Sequence, residues 1–381
     1  QFDKLNTISQ TFENITPVRL YLKEQRDDFF KGLDNFHNCL GHSYSSEGSG
    51  DDVQIISPND GRSVVGNINF FNASEIPAIV DRAHAVFVEG SWAKSSPETR
   101  AAFILSASEK MLLRRTQLAA LICYEAGKSV GEALADVDEA IDFMNFYARE
   151  EVKFHRTGSG AENHWTARGV SAVICPWNFP LAIPTGMTIS SLVAGNSVLV
   201  KSSEQTPLVA QVMVDILHQS GVPKDVLIHL PGLGEVGAAL VNHPLVNTIV
   251  FTGSKAVGSW IYENAASRIY RGNDGIELKT KVVTEMGGKN AVIVTANAEL
   301  DETVSGILYS SFAHAGQKCS ACSRIIIDNG IREKFVSRFR DAVLDIKVGQ
   351  GSDPATYINP LISAGDKKRL TKQAKLAVEE A

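Results

Sequence analysis

Two of the chain's five cysteines fall in one short stretch, AHAGQKCSACSR at residues 313–324, with a lysine against the first of them. A C-x-x-C pair can hold a metal, shuttle electrons or carry one reactive thiolate. Zinc asks for four ligands, usually two such pairs or a pair plus histidines. Here Cys39, Cys123 and Cys175 stand alone and no paired histidines lie nearby, so no metal is expected. A thioredoxin-type pair opens a helix behind an early βαβ strand, whereas this one sits far along the chain, behind a helical stretch at 303–314. A single nucleophile at Cys319 is the better account. Gly316 shapes the turn before it, and a neighbouring cation, Lys318, together with partial exposure favours the thiolate. Cys322 is then expected to face the core ahead of the apolar run RIIID.

Other stretches could assist a thiolate or hold a phosphorylated ligand. ICPWNFP, residues 174–180, brackets Trp177, Asn178 and Phe179 between prolines. A loop that stiff can present the Asn178 amide as a fixed donor to a developing oxyanion, or simply form an Asx turn. VVTEMGGKN, residues 282–290, places Glu285 behind a run expected to be buried. Desolvation there would push its carboxyl up towards the range of a general base; a turn-capping glutamate is the alternative. VLVKSSEQTP ends a strand in Lys201 and Glu204, which could hold the two hydroxyls of a ribose at the mouth of an α/β sheet or be a solvated strand end. PGLGEVG, residues 231–237, matches G-x-G-x-x-G. The acidic partner expected about twenty residues later does not arrive until Glu263, inside a helix, so a plain tight turn remains open. FTGSKAVG, residues 251–258, offers Gly253 and Ser254 at a helix N-terminus, where phosphate is favoured.

These residues need a scaffold, and its pattern is readable. Residues 1–52 form a polar arm with one helical stretch at 18–40. VQIISPNDGRSVVGNINF alternates as two strands around an Asn-Asp-Gly turn. Ser96 caps a helix with Pro97 at its first position; a second helix stops at Gly127, and a third covers 130–150. Short apolar, β-branched runs then alternate with helices, which implies a parallel sheet covered on both faces. A second such series is expected from KVVTEMG and NAVIVT. Residues 152–167 read as a polar hairpin turning at 158–160 and serving as an oligomerisation flap.

The composition limits the classes. With 381 residues, more than one domain is expected. A net charge of −6 provides no basic footprint for nucleic acid. No apolar run approaches the ~18 residues that span a membrane, and the opening residues are not expected to act as a signal peptide, lacking its charged and apolar regions. Scattered cysteines point to a reducing, cytoplasmic setting. The start at Gln1 and the stop inside an amphipathic helix at Ala381 are expected of a piece of a longer polypeptide.

Taken together, PWNFP, KSSEQTP, FTGS, EMGGKN and GQKCSACSR occur in the order found in the aldehyde dehydrogenase superfamily, and residues 53–362 resemble it. AGQKCSACSR is most similar to the 1-pyrroline-5-carboxylate dehydrogenases, which oxidise glutamate γ-semialdehyde and occur alone or fused to proline dehydrogenase. The resemblance implies a Rossmann-type NAD domain (53–284) and an incomplete α/β catalytic domain (285–381), in a homo-oligomer. It assigns Cys319 as nucleophile, Glu285 as base and Asn178 as oxyanion donor. It places NAD against Ile174, Pro176, Trp177, Lys201, Glu204, Gly234, Phe251, Gly253, Ser254, Met286 and Gly287. Glu132, Phe179, Lys318 and Ser320 are the implied contacts of the aldehyde substrate. The family's nicotinamide-ribose stretch and substrate-carboxylate loop are expected beyond residue 381. Another aldehyde, such as succinate semialdehyde, and a non-catalytic dinucleotide-binding or interaction domain are the competing readings.

Overall fold

The structure, a computed structural model, describes residues 11–158, 165–272 and 275–380. In the arm, helix α1 (Lys23–His37) turns Phe29, Leu33 and Phe36 inward at helical spacing. Strands β1 (His42–Tyr44), β2 (Asp52–Ile56) and β3 (Val64–Asn69) form a small sheet in the order β1-β3-β2. The β2–β3 turn closes where Asp60 accepts the N–H groups of Arg62 and Ser63, with Gly61 at φ +67°.

Four helices follow: α2 (Ile76–Glu89), α3 (Pro97–Leu113), α4 (Arg115–Glu125) and α5 (Val130–Gly158). The Ser96 hydroxyl caps α3 by accepting the Thr99 N–H at 3.2 Å. Gly127 (φ +68°) ends the turn after α4. The hairpin expected over 152–167 is absent as far as Gly158, where α5 simply continues; residues 159–164 lie outside the described residues. Lys153 and Arg156, expected to belong to the hairpin, lie on the exposed side of the helix. Ala148 and Val152 prolong its buried stripe, and Glu151 receives Arg100 at 3.6 Å.

The central sheet contains β4 (Val170–Ile174), β5 (Ser197–Lys201), β6 (Leu227–His229), β7 (Val246–Gly253) and β10 (Lys281–Met286), every pairing parallel, in the order β10-β7-β4-β5-β6. Helices α6 (Ala182–Val193), α7 (Pro207–Gln219), α8 (Gly234–Asn242) and α9 (Lys255–Ala265) connect the first four strands and lead out of β7. Successive side chains of a strand face opposite ways. Val173, Val198 and Val200 join the core of α6 and α7, while Ala172, Ile174, Leu199 and Ile228 join that of α2 and α8. This two-sided burial explains the unbroken apolar runs of β4–β6. The run KVVTEM, expected to open a second series, is instead the edge strand of this sheet, and a domain boundary after residue 284 falls inside it. Its burial alternates residue by residue because one neighbour and one packed face are all an edge strand has.

Strands β8 (Ile269–Arg271) and β9 (Glu277–Lys279) form an antiparallel ribbon before β10. The last unit pairs β11 (Asn290–Val294) with β12 (Cys322–Ile327) in parallel. It packs them on α10 (Leu300–Phe312) and α11 (Arg332–Leu344) around Val294, Val304, Ile307, Ile331 and Phe335. Helix α12 (Ala364–Glu380) follows. Among the described residues no helix is long and apolar enough to cross a membrane.

Candidate active site

The chain runs β4, β5, β6 to one side and then returns to place β7 on the other side of β4. A crevice opens outside the carboxyl ends of the strands at such a reversal. Here it is a cavity of 1060 Å³, and four of the five strand ends deliver wall residues. β4 and its following loop provide Ile174, Pro176, Trp177 and Asn178; β5 and its loop provide Lys201 and Glu204; β7 provides Phe251, Gly253 and then Ser254; β10 provides Met286 and then Gly287. The buried Lys201 ammonium lies 3.4 Å from the half-exposed Glu204 carboxylate. Next to them His229 is held between Gln211 and Ser202, each at 2.8 Å. Burial, aided by the Lys201 charge, pushes its pKa down to about 3, so it stays neutral.

The walls fit a dinucleotide. A Cβ on Gly234 or Gly287 would meet nothing within 4 Å, so the backbone at both places is open to a close ligand. Gly253 is different, because a Cβ there would come within 2.6 Å of the Phe251 ring. Ser254 caps α9 by accepting the Val257 N–H at 3.4 Å and sets the positive end of that helix against the cavity.

The loop that carries Cys319 lies across the crevice. After α10 the backbone makes a left-handed turn through His314 (φ 51°), Ala315 (φ 56°) and Gly316 (φ 69°). Such non-glycine conformations cost on the order of 1–3 kcal/mol each and persist only under outside constraint. Gln317 supplies the constraint. Its side-chain amide donates to the carbonyls of His314 and Pro360 at 3.2 and 3.3 Å and accepts the Ile362 N–H at 3.0 Å. Its own carbonyl accepts the Asn178 Nδ2–H at 2.9 Å, so the amide proposed for the oxyanion is already beside the loop. His314 is fully buried, and desolvation together with the Lys128 charge holds its pKa well below the usual value. Cys319 is exposed at the turn and Cys322 is buried, both as free thiols.

Lys318 is ion-paired with Glu132. Its Nζ stands 2.6 Å from Glu132 Oε2, both side chains nearly buried, and lies 4.9 Å from the centre of the Tyr309 ring and 6.0 Å from that of Phe179. The Tyr309 hydroxyl is hydrogen-bonded to Glu132, and burial with that negative charge pushes it up to about 12. Lys318 lines the large cavity, while Glu132 and Tyr309 line a second one of 560 Å³ on the other side.

Comparison with protein families matches residues 44–381 to the aldehyde dehydrogenase family. The chain belongs to that family. The 1-pyrroline-5-carboxylate dehydrogenase of Geobacillus kaustophilus is 36% identical over 373 residues, which are 94% of this chain and 71% of the relative. Among solved structures, 1-pyrroline-5-carboxylate dehydrogenase from Thermus with bound NAD superposes with a TM-score of 0.89 at 31% identity, covering 96% of this chain and 72% of that one. Proline utilization A (PutA) from Bdellovibrio bacteriovorus inactivated by N-propargylglycine also gives 0.89, at 33% identity, and this chain spans only 39% of its length.

The dehydrogenase fold thus brings Cys319, Asn178, Lys318 and the eleven residues named for the cofactor to one cavity. Glu285 departs from expectation: it is exposed, not desolvated, because the alternation of β10 turns Met286 into the packed face and Glu285 out of it. Ser320 is exposed and lines neither cavity. Phe179 backs the lysines rather than the cavity. Sequence reasoning missed Asp366, Arg369 and Leu370, from the first turns of α12, which close one side of the large cavity. A Ser363 cap on Asp366 was the signal that a helix starts there, but nothing local said where it would lie.

Proposed function

We propose that the chain is the cofactor-binding and nucleophile-bearing part of an NAD-dependent dehydrogenase that oxidises glutamate γ-semialdehyde to glutamate. The observation that carries the substrate class is the Lys318–Glu132 pair. It sets one nearly buried positive and one nearly buried negative group side by side, the positive one next to Cys319 in the chain and on the same cavity wall, the complement of a carboxylate and an ammonium at the far end of an amino-acid aldehyde. The names of the Geobacillus and Thermus relatives support the same reading.

Cys319 thiolate attacks the aldehyde carbon, and the Asn178 amide N–H stabilises the oxygen that becomes negative. Bound NAD supplies the hydride acceptor. Departure of hydride from the substrate carbon leaves a thioester on Cys319, and Glu285 takes a proton from the water that cleaves it. Glu285 stands next to Met286 of the cavity wall, and serving that water requires its exposed carboxylate to turn towards the cavity. Lys201 and Glu204 hold the adenosine ribose, and the Ser254-capped end of α9 meets the pyrophosphate.

The test is NADH formation by the purified protein with glutamate semialdehyde and with succinate semialdehyde. Cys319→Ala should abolish turnover while NAD still binds. Glu132→Ala should raise KM for the amino-acid aldehyde more than for the one lacking an ammonium. Wild-type turnover in Cys319→Ala would refute the nucleophile; equal KM changes would refute the substrate class.

A further inference from the structure

A wholly buried ion pair stands behind the Asn178 loop, in a place no step above uses. Lys128 follows Gly127 in the link between α4 and α5, and its side chain and that of Asp136 have no solvent exposure. Its Nζ lies 3.0 Å from Asp136 Oδ2, 3.1 Å from the Asn178 carbonyl oxygen and 3.9 Å from the centre of the Phe179 ring. The other Asp136 oxygen accepts the Ala182 N–H at 2.7 Å, at the first residue of α6. One pair therefore grips the oxyanion loop at Asn178 and again at residue 182. The lysine's own backbone is wedged as well: a Cβ on Gly351 would come within 2.3 Å of the carbonyls of Gly127 and Lys128.

Helix capping alone does not call for this lysine. Glu125, equally buried, caps α7 through the N–H groups of Leu208 and Val209 at 2.6 and 3.0 Å, with no ion pair among the described residues. Nor is core filling a sufficient reason, since apolar residues of similar volume often serve as well as a buried pair. What Lys128 adds is a directed hydrogen bond to the residue whose side chain meets the nucleophile loop, at Gln317.

We infer that Lys128, anchored by Asp136, is a positioning residue that fixes the Asn178 amide for oxyanion stabilisation at Cys319. The inference rests on the roles proposed above for Asn178 and Cys319. Removing an oxyanion donor costs roughly 10²–10³ in kcat, and misplacing one by about 1 Å about 10². Lys128→Met should therefore lower kcat about 10- to 100-fold and leave the Kd for NAD within about threefold.

A double-mutant cycle separates positioning from mere stability. If Lys128 acts through Asn178, then Lys128→Met in an Asn178→Ala background changes kcat by less than about threefold. Losses that multiply, or wild-type kcat in Lys128→Met, overturn the inference. Should Lys128→Met fail to fold, Lys128→Arg decides, because a guanidinium cannot reproduce both contacts in a closed slot: a fall in kcat at unchanged NAD affinity supports the role, and wild-type kcat overturns it. The same cycle is run with 4-nitrophenyl acetate, from which Cys319 thiolate takes the acetyl group and releases 4-nitrophenolate with no cofactor. If no aldehyde yields NADH but the ester acylates Cys319, the dehydrogenase reading fails and the ester cycle still decides on Lys128. Absence of both reactions overturns both.

Discussion

Replacing Gly234 by alanine separates a glycine kept for a ligand from one kept for the fold. Gly234 is the first residue of α8, and its added Cβ would meet no protein atom within 4 Å. Alanine relieves a glycine penalty of up to about 1 kcal/mol in a helix, less at the first position, so the melting temperature should hold or rise slightly. The same methyl stands in the cavity wall. Forcing a methyl into a close-packed contact costs about 1–3 kcal/mol, a rise of roughly 5- to 150-fold in Kd. Calorimetric titration with NAD reads that rise directly, and kcat at saturating NAD should be unchanged. Gly253→Ala is the control: its Cβ meets the Phe251 ring at 2.6 Å, so it should lose stability along with affinity. Wild-type NAD affinity in Gly234→Ala would remove the start of α8 from the cofactor site. A lowered melting temperature would show that this glycine serves packing.

Two further expectations concern acids. Burial pushes the Glu125 carboxyl up from 4.5 to about 8, so between those values the folded state keeps a proton that the unfolded state releases. Its contribution to stability is complete below about pH 4.5 and is lost as pH rises through about 8; Glu125→Gln should flatten that part of the urea-midpoint profile, and an unchanged slope would rule the group out. Glu285→Gln should still give a burst of one NADH per Cys319 in stopped flow, followed by slow turnover, because the base is needed only for thioester hydrolysis; loss of the burst would place Glu285 in the first step.

The cofactor half was readable in the sequence because its signals are local. Strand ends rich in β-branched residues, followed at once by Lys201, Gly253 or Met286, must put those residues at one edge of a parallel sheet, whatever the rest of the chain does. The edge position of β10 was not readable. Whether a strand has one neighbour or two is settled by chain hundreds of atoms away, and with it went the expected burial of Glu285. The first part of the expected hairpin went wrong for a related reason: polar residues such as Lys153 and Arg156 look alike in a hairpin and on the outer side of a long helix, and the Arg100–Glu151 contact that favours the helix spans two elements. Lys318 was picked for its neighbour in sequence, Cys319, yet its charge is claimed by Glu132, nearly two hundred positions earlier. Ion pairs across elements leave no local trace.

Gln317 also ties the geometry of the turn before Cys319 to a segment far along the chain. Its amide is satisfied by Pro360 and Ile362, more than forty positions downstream, and only with those bonds in place is the left-handed turn at His314 and Ala315 held against relaxation. A chain in which β11, α10, β12 and α11 have assembled but residues 360–362 have not docked can possess Cys319 without its geometry. The turn that carries Cys319 therefore depends on the docking of residues 360–362, and the accessibility of that thiol to a labelling reagent reports whether the segment is in place.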